Sequence, residues 1–193
     1  ISNDDKKNIQ KKYTNNQEFF VFIGSLHKRK NLKNLLLAFD EYRKNKGVNK
    51  LLIIGNEKWT NKEVKLIYQK MKFKNDVSFL GTMTDKSMAL ILASAQALCF
   101  TSLFEGFGLP IVEAMKCHVP VITSNTSCMP EIAQNAALIV NPYDVNSIKN
   151  AMLNIEKNKK LRMDLIQKGH NRIKLFDWDL TANKISKVLK KYA

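Results

Sequence analysis

The run Phe19-Phe20-Val21-Phe22-Ile23, closed by Gly24 and followed by Ser25-Leu26-His27-Lys28-Arg29-Lys30-Asn31, decides the fold. Five consecutive apolar residues do not alternate with polar ones. That pattern belongs to a strand buried on both faces rather than one with a wet side. Five further runs repeat it: Leu51–Ile54, Val77–Leu80, Ala97–Phe100, Val119–Ile122 and Ala136–Val140. Between them lie apolar residues at helical spacing, such as Leu32, Leu35, Leu36 and Phe39, then Val64, Ile67, Tyr68 and Met71, then Met88, Ile91, Leu92 and Ala95. Strands alternating with helices predict βαβ units and a parallel sheet. After residue 143 the chain reads as all helix, with Asp144 as a cap, a second helix through Leu161, Leu165 and Ile166, and a third after Trp178. The expected fold is α/β: a Rossmann-like parallel sheet of about six strands, helices on both faces and a helical C-terminal tail. Residues 1–18, polar and carrying two lysine pairs, read as a linker or the start of the domain; residues 19–193 form the domain. Its ligand belongs at the carboxyl ends of the strands.

Composition narrows the function classes. The chain has 193 residues, 45% hydrophobic and 25% charged, which excludes disorder, collagen and coiled coil. Its formal net charge is +15, but 28 of the 32 basic residues are Lys and 4 are Arg, spread over every polar stretch. Arg is the better reader of bases and phosphates, so the charge argues against nucleic acid. A basic face toward anionic lipid or a phosphorylated substrate fits better. Cys99, Cys117 and Cys128 are odd in number and widely spaced, which disfavours a disulfide framework or zinc site and favours a reducing, cytoplasmic setting. No run approaches a membrane span, although the charge leaves open a peripheral contact with the inner face of the cytoplasmic membrane. The chain begins with Ile1 rather than Met, as a piece of a longer protein would.

Chemistry concentrates in two segments. In Glu105-Gly106-Phe107-Gly108-Leu109-Pro110-Ile111-Val112-Glu113, a buried strand gives way to a helix. Pro110 suits a first helical turn, and the glycines let backbone approach a ligand while free N–H groups face an anion. Glu105 and Glu113, eight residues apart, suit the vicinal hydroxyls of a sugar and a ribose. Glu113 lies among Ile111, Val112, Ala114 and Met115, which predicts partial burial and hence a partner. The second segment, Gly24 to Asn31, leaves the first strand where phosphate loops sit; Lys28, Arg29 and Lys30 there read equally as cations that would neutralise a diphosphate or as a solvated basic turn. Its glycine spacing is not that of a P-loop.

Taken together, these segments resemble the C-terminal, nucleotide-sugar-binding half of a GT-B glycosyltransferase of family 4, a retaining group. The resemblance is carried by EGFGLPIVEAM (105–115), GSLHKRKN (24–31), VSFLGTMTDKSM (77–88), PVITSNTSCMPEIA (120–133) and the FDWDLTANKISKVL helix (176–189). It implies Glu105 and Lys30 as catalytic residues, the first on hydroxyls of the donor sugar and the second on the diphosphate. It implies a donor site completed by Glu113 on the ribose, Arg29, Gly24, Ser25, Gly106, Phe107, Gly108 and Leu109, with Thr82 and Met83 against the base. Ser25 stands where many members have Arg; Arg29 is the candidate replacement. His118 stands where a glycine is usual. The resemblance further implies a UDP- or GDP-type sugar donor, no metal or other cofactor, and a saccharide or lipid-linked acceptor held by an N-terminal domain outside this chain, in surface polysaccharide or glycolipid assembly. A sugar-nucleotide epimerase, a phosphorylase and a non-catalytic nucleotide-sugar module are the competing readings. Asp177-Trp178-Asp179 spells a metal-binding DxD but precedes a terminal helix, where an N-cap is the simpler reading. His27 reads equally as a phosphate contact or an exposed loop residue.

Overall fold

A computed structural model describes residues 1–56 and 62–192. Six strands, β1 (Phe19–Ile23), β2 (Lys50–Ile54), β3 (Val77–Gly81), β4 (Ala97–Phe100), β5 (Val121–Ser124) and β6 (Leu138–Val140), form one sheet in the order β3-β2-β1-β4-β5-β6. Every pairing is parallel. The described helices are α1 (Asn3–Thr14), α2 (Leu32–Lys44), α3 (Lys62–Lys70), α4 (Asp85–Ser94), α5 (Leu109–Lys116), α6 (Met129–Ala133), α7 (Val145–Lys157), α8 (Lys159–Ile173) and α9 (Trp178–Tyr192).

The unbroken apolar run of β1 has a direct structural cause. Phe20 and Phe22 join the core under α2, α3 and α7, whereas Phe19, Val21 and Ile23 join the opposite core under α4, α5 and α6. Alternate side chains of one strand thus fill both layers. Local caps set the helix starts: the Thr84 hydroxyl accepts from the Ser87 amide at the head of α4, and the Asp144 carboxylate from the Asn146 amide at the head of α7.

Residues 3–14 form a helix at the start of the domain: Ser2 and Asp5 form a reciprocal capping box, and Ile9 and Tyr13 pack against the second core. Two strand boundaries depart from expectation. β5 starts at Val121, two residues late, because Pro120 has no N–H for the ladder and His118 adopts a left-handed φ of 57°. It then runs through the buried polar pair Thr123 and Ser124, where the Thr123 hydroxyl donates to the Phe100 carbonyl at 2.9 Å. β6 is shorter than its apolar run because residues 134–136 close a 3-10 turn. Both edge strands, β3 and β6, are only partly buried, so the expectation of two covered faces holds for the four inner strands.

The positive φ of His118 is the conformation a glycine would supply at low cost. Its ring stacks on His170 at a centroid distance of 5.6 Å. Along α9, Trp178, Ile185, Val188, Leu189 and Tyr192 are exposed. Among the described residues no helix is long and apolar enough to cross a membrane.

Candidate active site

The strand order reverses between β1 and β4, so the chain leaves these neighbouring strands toward opposite sides. Their exit loops, residues 24–31 and 101–108, face each other across the crevice this reversal creates. The loops are stitched together. The Leu103 amide donates to the Arg29 carbonyl at 2.7 Å. Asn31, buried and left-handed at φ 58°, donates through Nδ2 to the Thr101 carbonyl at 3.0 Å and the Pro142 carbonyl at 2.7 Å.

Residues Lys28–Lys30 make one 3-10 turn, capped by His27, whose Nδ1 accepts from the Arg29 amide at 3.3 Å. His27 is therefore a cap of this loop. The turn aims Arg29 and Lys30 at the facing loop. Arg29 Nη1 lies 2.7 Å from Glu105 Oε2 and donates to the Phe104 carbonyl at 3.1 Å. Lys30 Nζ lies 2.7 Å from Glu105 Oε1 and 5.0 Å from the Phe100 ring centroid. The Lys30 stem packs over Gly24, where a Cβ would stand in ordinary contact, 3.4 Å from Lys30 Cε. Ser25, partly exposed beside Gly24, carries no charge to add to the pair.

Glu105 is clamped from below. Its amide donates to Ser127 Oγ at 3.3 Å, and its carbonyl accepts from Ser127 Oγ at 2.7 Å and Cys128 Sγ at 3.2 Å. Burial would raise its carboxyl, but Lys30, the Ser102 hydroxyl and Arg29 together outweigh burial and hold it below the ordinary 4.5. A carboxylate whose folded pKa is depressed stabilises the fold above its unfolded pKa and loses that contribution as pH falls through the folded value. Acid titration followed by thermal unfolding is therefore expected to show wild-type stability falling below pH 4.5 more steeply than Glu105→Gln.

The rest of the second segment divides between anchor and rim. Gly108, at φ +92°, is the left-handed N-cap of α5, with Pro110 in the first turn. Gly106, Phe107 and Leu109 are exposed at the rim. Glu113 departs from expectation: it is exposed, and its carboxylate has no hydrogen-bond or ion-pair partner among the described residues. The apolar face it was assigned to belongs to Ile111, Val112, Ala114 and Met115, one helical step to either side. Crowding by neighbouring atoms still raises its carboxyl; the Asp85 charge adds to this and Lys116 opposes it. Thr82 is exposed and Met83 half-buried in the turn between β3 and α4. Glu113 also lines a cavity of about 570 Å³ between α5 and the start of α9, with Phe107, Leu109, Phe176 and Trp178.

Reading motifs along the chain missed Asn31, Gly55, Ser127 and Cys128 as site supports. Gly55 had a signal, since it closes the second apolar run as Gly24 closes the first. The DxD resolves as a cap: Asp177 Oδ1 accepts from the Asp179 and Leu180 amides at 2.8 and 3.0 Å. Among the described residues no three His, Cys, Asp or Glu side chains gather as metal ligands. The three cysteines are unpaired.

The family profile for glycosyl transferases group 1 matches residues 4–172. The chain belongs to this family. It is 30% identical over 164 residues to the O-antigen chain mannosyltransferase B of Escherichia coli, covering 84% of this chain and 43% of that protein. It is 30% identical over 175 residues to the O-antigen chain mannosyltransferase RfbU of Salmonella typhimurium, covering 89% and 46%. The group 1 domain thus spans less than half the length of these relatives. Among solved structures, sucrose-phosphate synthase from Thermosynechococcus elongatus superposes with a TM-score of 0.85 at 22% identity, over 98% of this chain and 48% of that one. Anabaena HepE, solved with UDP and glucose, superposes with 0.86 at 21% identity, over 99% and 53%. These two share the fold, the C-terminal half of the GT-B architecture.

Proposed function

We propose that this chain is the donor-binding half of a retaining, metal-independent glycosyltransferase, moving a hexosyl group from a nucleoside diphosphate to an acceptor hydroxyl. The observation that carries the reading is the convergence of Arg29 and Lys30 on the Glu105 loop at the reversal of the sheet. When a glycosidic bond to a diphosphate breaks, one negative charge develops on the leaving phosphate. Two fixed cations and the N-terminus of α5, starting at Leu109, oppose that charge without a divalent ion. Glu105 borders the same cations and can orient sugar hydroxyls; Glu113, exposed on α5, is free to accept from a ribose. Thr82 and Met83 are the candidates for packing against the base.

The names of the two O-antigen relatives favour a mannosyl donor and surface polysaccharide assembly. The acceptor site belongs, in this reading, to a second domain outside these residues, with peripheral membrane contact on that side. The exposed crevice then forms one wall of a two-domain cleft.

Calorimetric titration of the chain with GDP-mannose, UDP-glucose and ADP-glucose, with and without EDTA, tests the reading. One donor is expected to bind, with less than a tenfold change on chelation, and the chain alone is expected to transfer nothing to an acceptor. Binding of none, or a greater than tenfold loss in EDTA, about 1.4 kcal/mol, would contradict it. Products formed from a labelled donor by a protein that joins this chain to its acceptor domain separate transfer from epimerisation.

A further inference from the structure

We propose that Glu105 sets the preference of this site for an intact nucleotide sugar over the free nucleoside diphosphate, and so promotes release of that product. The inference rests on the donor-site reading above and adds a regulatory role for one residue within it.

A pair of cations meant for a diphosphate is already occupied: Arg29 Nη1 and Lys30 Nζ each stand 2.7 Å from a different oxygen of one carboxylate. That carboxylate has little room to leave. The Glu105 backbone is bound on both its amide and its carbonyl by Ser127, and the carbonyl also by Cys128. Only 8% of the Glu105 side chain is exposed. The carboxyl is held in its charged form.

Geometry then limits where a phosphate can sit. A charge-assisted contact to Lys30 or Arg29 spans about 2.7–2.9 Å. A phosphate oxygen on either cation therefore lies within roughly 5–6 Å of a Glu105 oxygen, the sum of two such contacts. At that separation and in a half-buried crevice, one unit of charge changes affinity by about tenfold.

The donor and the product differ by that unit. In a nucleotide sugar each phosphorus carries one ester oxygen and the shared anhydride oxygen, and so one negative charge. In the free diphosphate the terminal phosphate is bonded only through the anhydride oxygen; its second ionisation lies near 6, so it carries up to one more charge above that pH. The extra charge sits on the group freed by transfer, next to the cations and next to Glu105. A site with two cations and no carboxylate would hold the product more tightly than the substrate. Glu105 lowers the net charge of the trio to +1 and places repulsion where only the product is more anionic. Release of the product would otherwise limit turnover.

The test uses the 193-residue chain, with GDP and GDP-mannose, or UDP and UDP-glucose if that pair is the one bound, titrated at pH 5.5 and pH 8. In Glu105→Gln the nucleoside diphosphate is expected to bind about tenfold more tightly at pH 8 and less so at pH 5.5. The nucleotide sugar is expected to gain less or to weaken, through loss of hydroxyl contacts. Glu105→Ala, which also removes the charge, is expected to show the same sign, and circular dichroism reports whether either variant is folded. Unchanged diphosphate affinity in folded variants would make Glu105 a sugar contact alone, and weaker affinity would make it a brace for the cations; either overturns the proposal. Failure of the wild-type chain to bind any of the four ligands would instead overturn the donor-site reading, and this inference with it.

Discussion

Lys30→Met is expected to lower affinity for the nucleoside diphosphate by about 30- to 1,000-fold while leaving the fold in place. The estimate is the loss of about 2–4 kcal/mol when one partner of a buried charged contact is removed. Methionine keeps an apolar stem of the same length across Gly24 and lacks only the terminal ammonium, so the packing of the loop is preserved. What is lost is the cation. Arg29 does not substitute for it, because 42% of its side chain is exposed whereas 10% of that of Lys30 is, and screening weakens the exposed charge. A smaller effect on stability follows, since Glu105 is left with one cation at about 8% exposure, costing about 1–3 kcal/mol. Titration calorimetry and thermal unfolding on the same sample read both effects. An affinity within threefold of wild type would remove Lys30 from the site.

Gly55→Ala is expected to cost about 3 kcal/mol, at the upper end for overpacking, and to lower the unfolding temperature by about 6–12 °C. A Cβ at Gly55 would lie 1.8 Å from the Gly24 carbonyl oxygen and 2.8 Å from its carbon. Both neighbours are backbone, held by the Gly24 amide on the Ile54 carbonyl at 3.0 Å and the Gly55 amide on the Gly81 carbonyl at 2.9 Å. Neither can yield without disturbing two strand ends. The displacement would reach Lys30, whose stem rests on Gly24, so diphosphate affinity should fall as well. Gly106→Ala is the control: nothing lies within 4 Å of a Cβ there, and unfolding should be unchanged. Equal unfolding temperatures for Gly55→Ala and wild type would show that the two loops are not in contact.

These two residues also mark what can be read along the chain. The alternation of apolar runs with helical spacing located all six strands, because burial on both faces of a parallel sheet demands contiguous apolar residues. The strand that slipped, β5, did so where polar side chains are buried and hydrogen-bonded to a neighbouring strand, information that hydropathy does not hold. Glu113 was misplaced for a similar reason. Its apolar neighbours in sequence point to the core, and one residue among them must face out on a helix lying on a sheet. Gly108 and Pro110 were legible as a helix start, and Lys30 and Glu105 as charged residues of loops at strand ends. Their convergence was not, since it depends on contacts such as Arg29 to Glu105 and Asn31 to Pro142 that span 76 and 111 residues.

The most direct test of the account is a crystal structure of the chain with the nucleoside diphosphate of its donor, grown in EDTA. The terminal phosphate is expected on Lys30 Nζ and the Arg29 guanidinium, the ribose hydroxyls on Glu113, and the base beside Thr82 and Met83, with no ion between protein and phosphate. A diphosphate seated elsewhere, for example in the cavity between Glu113 and Trp178 with Lys30 and Arg29 still bound only to Glu105, would contradict it.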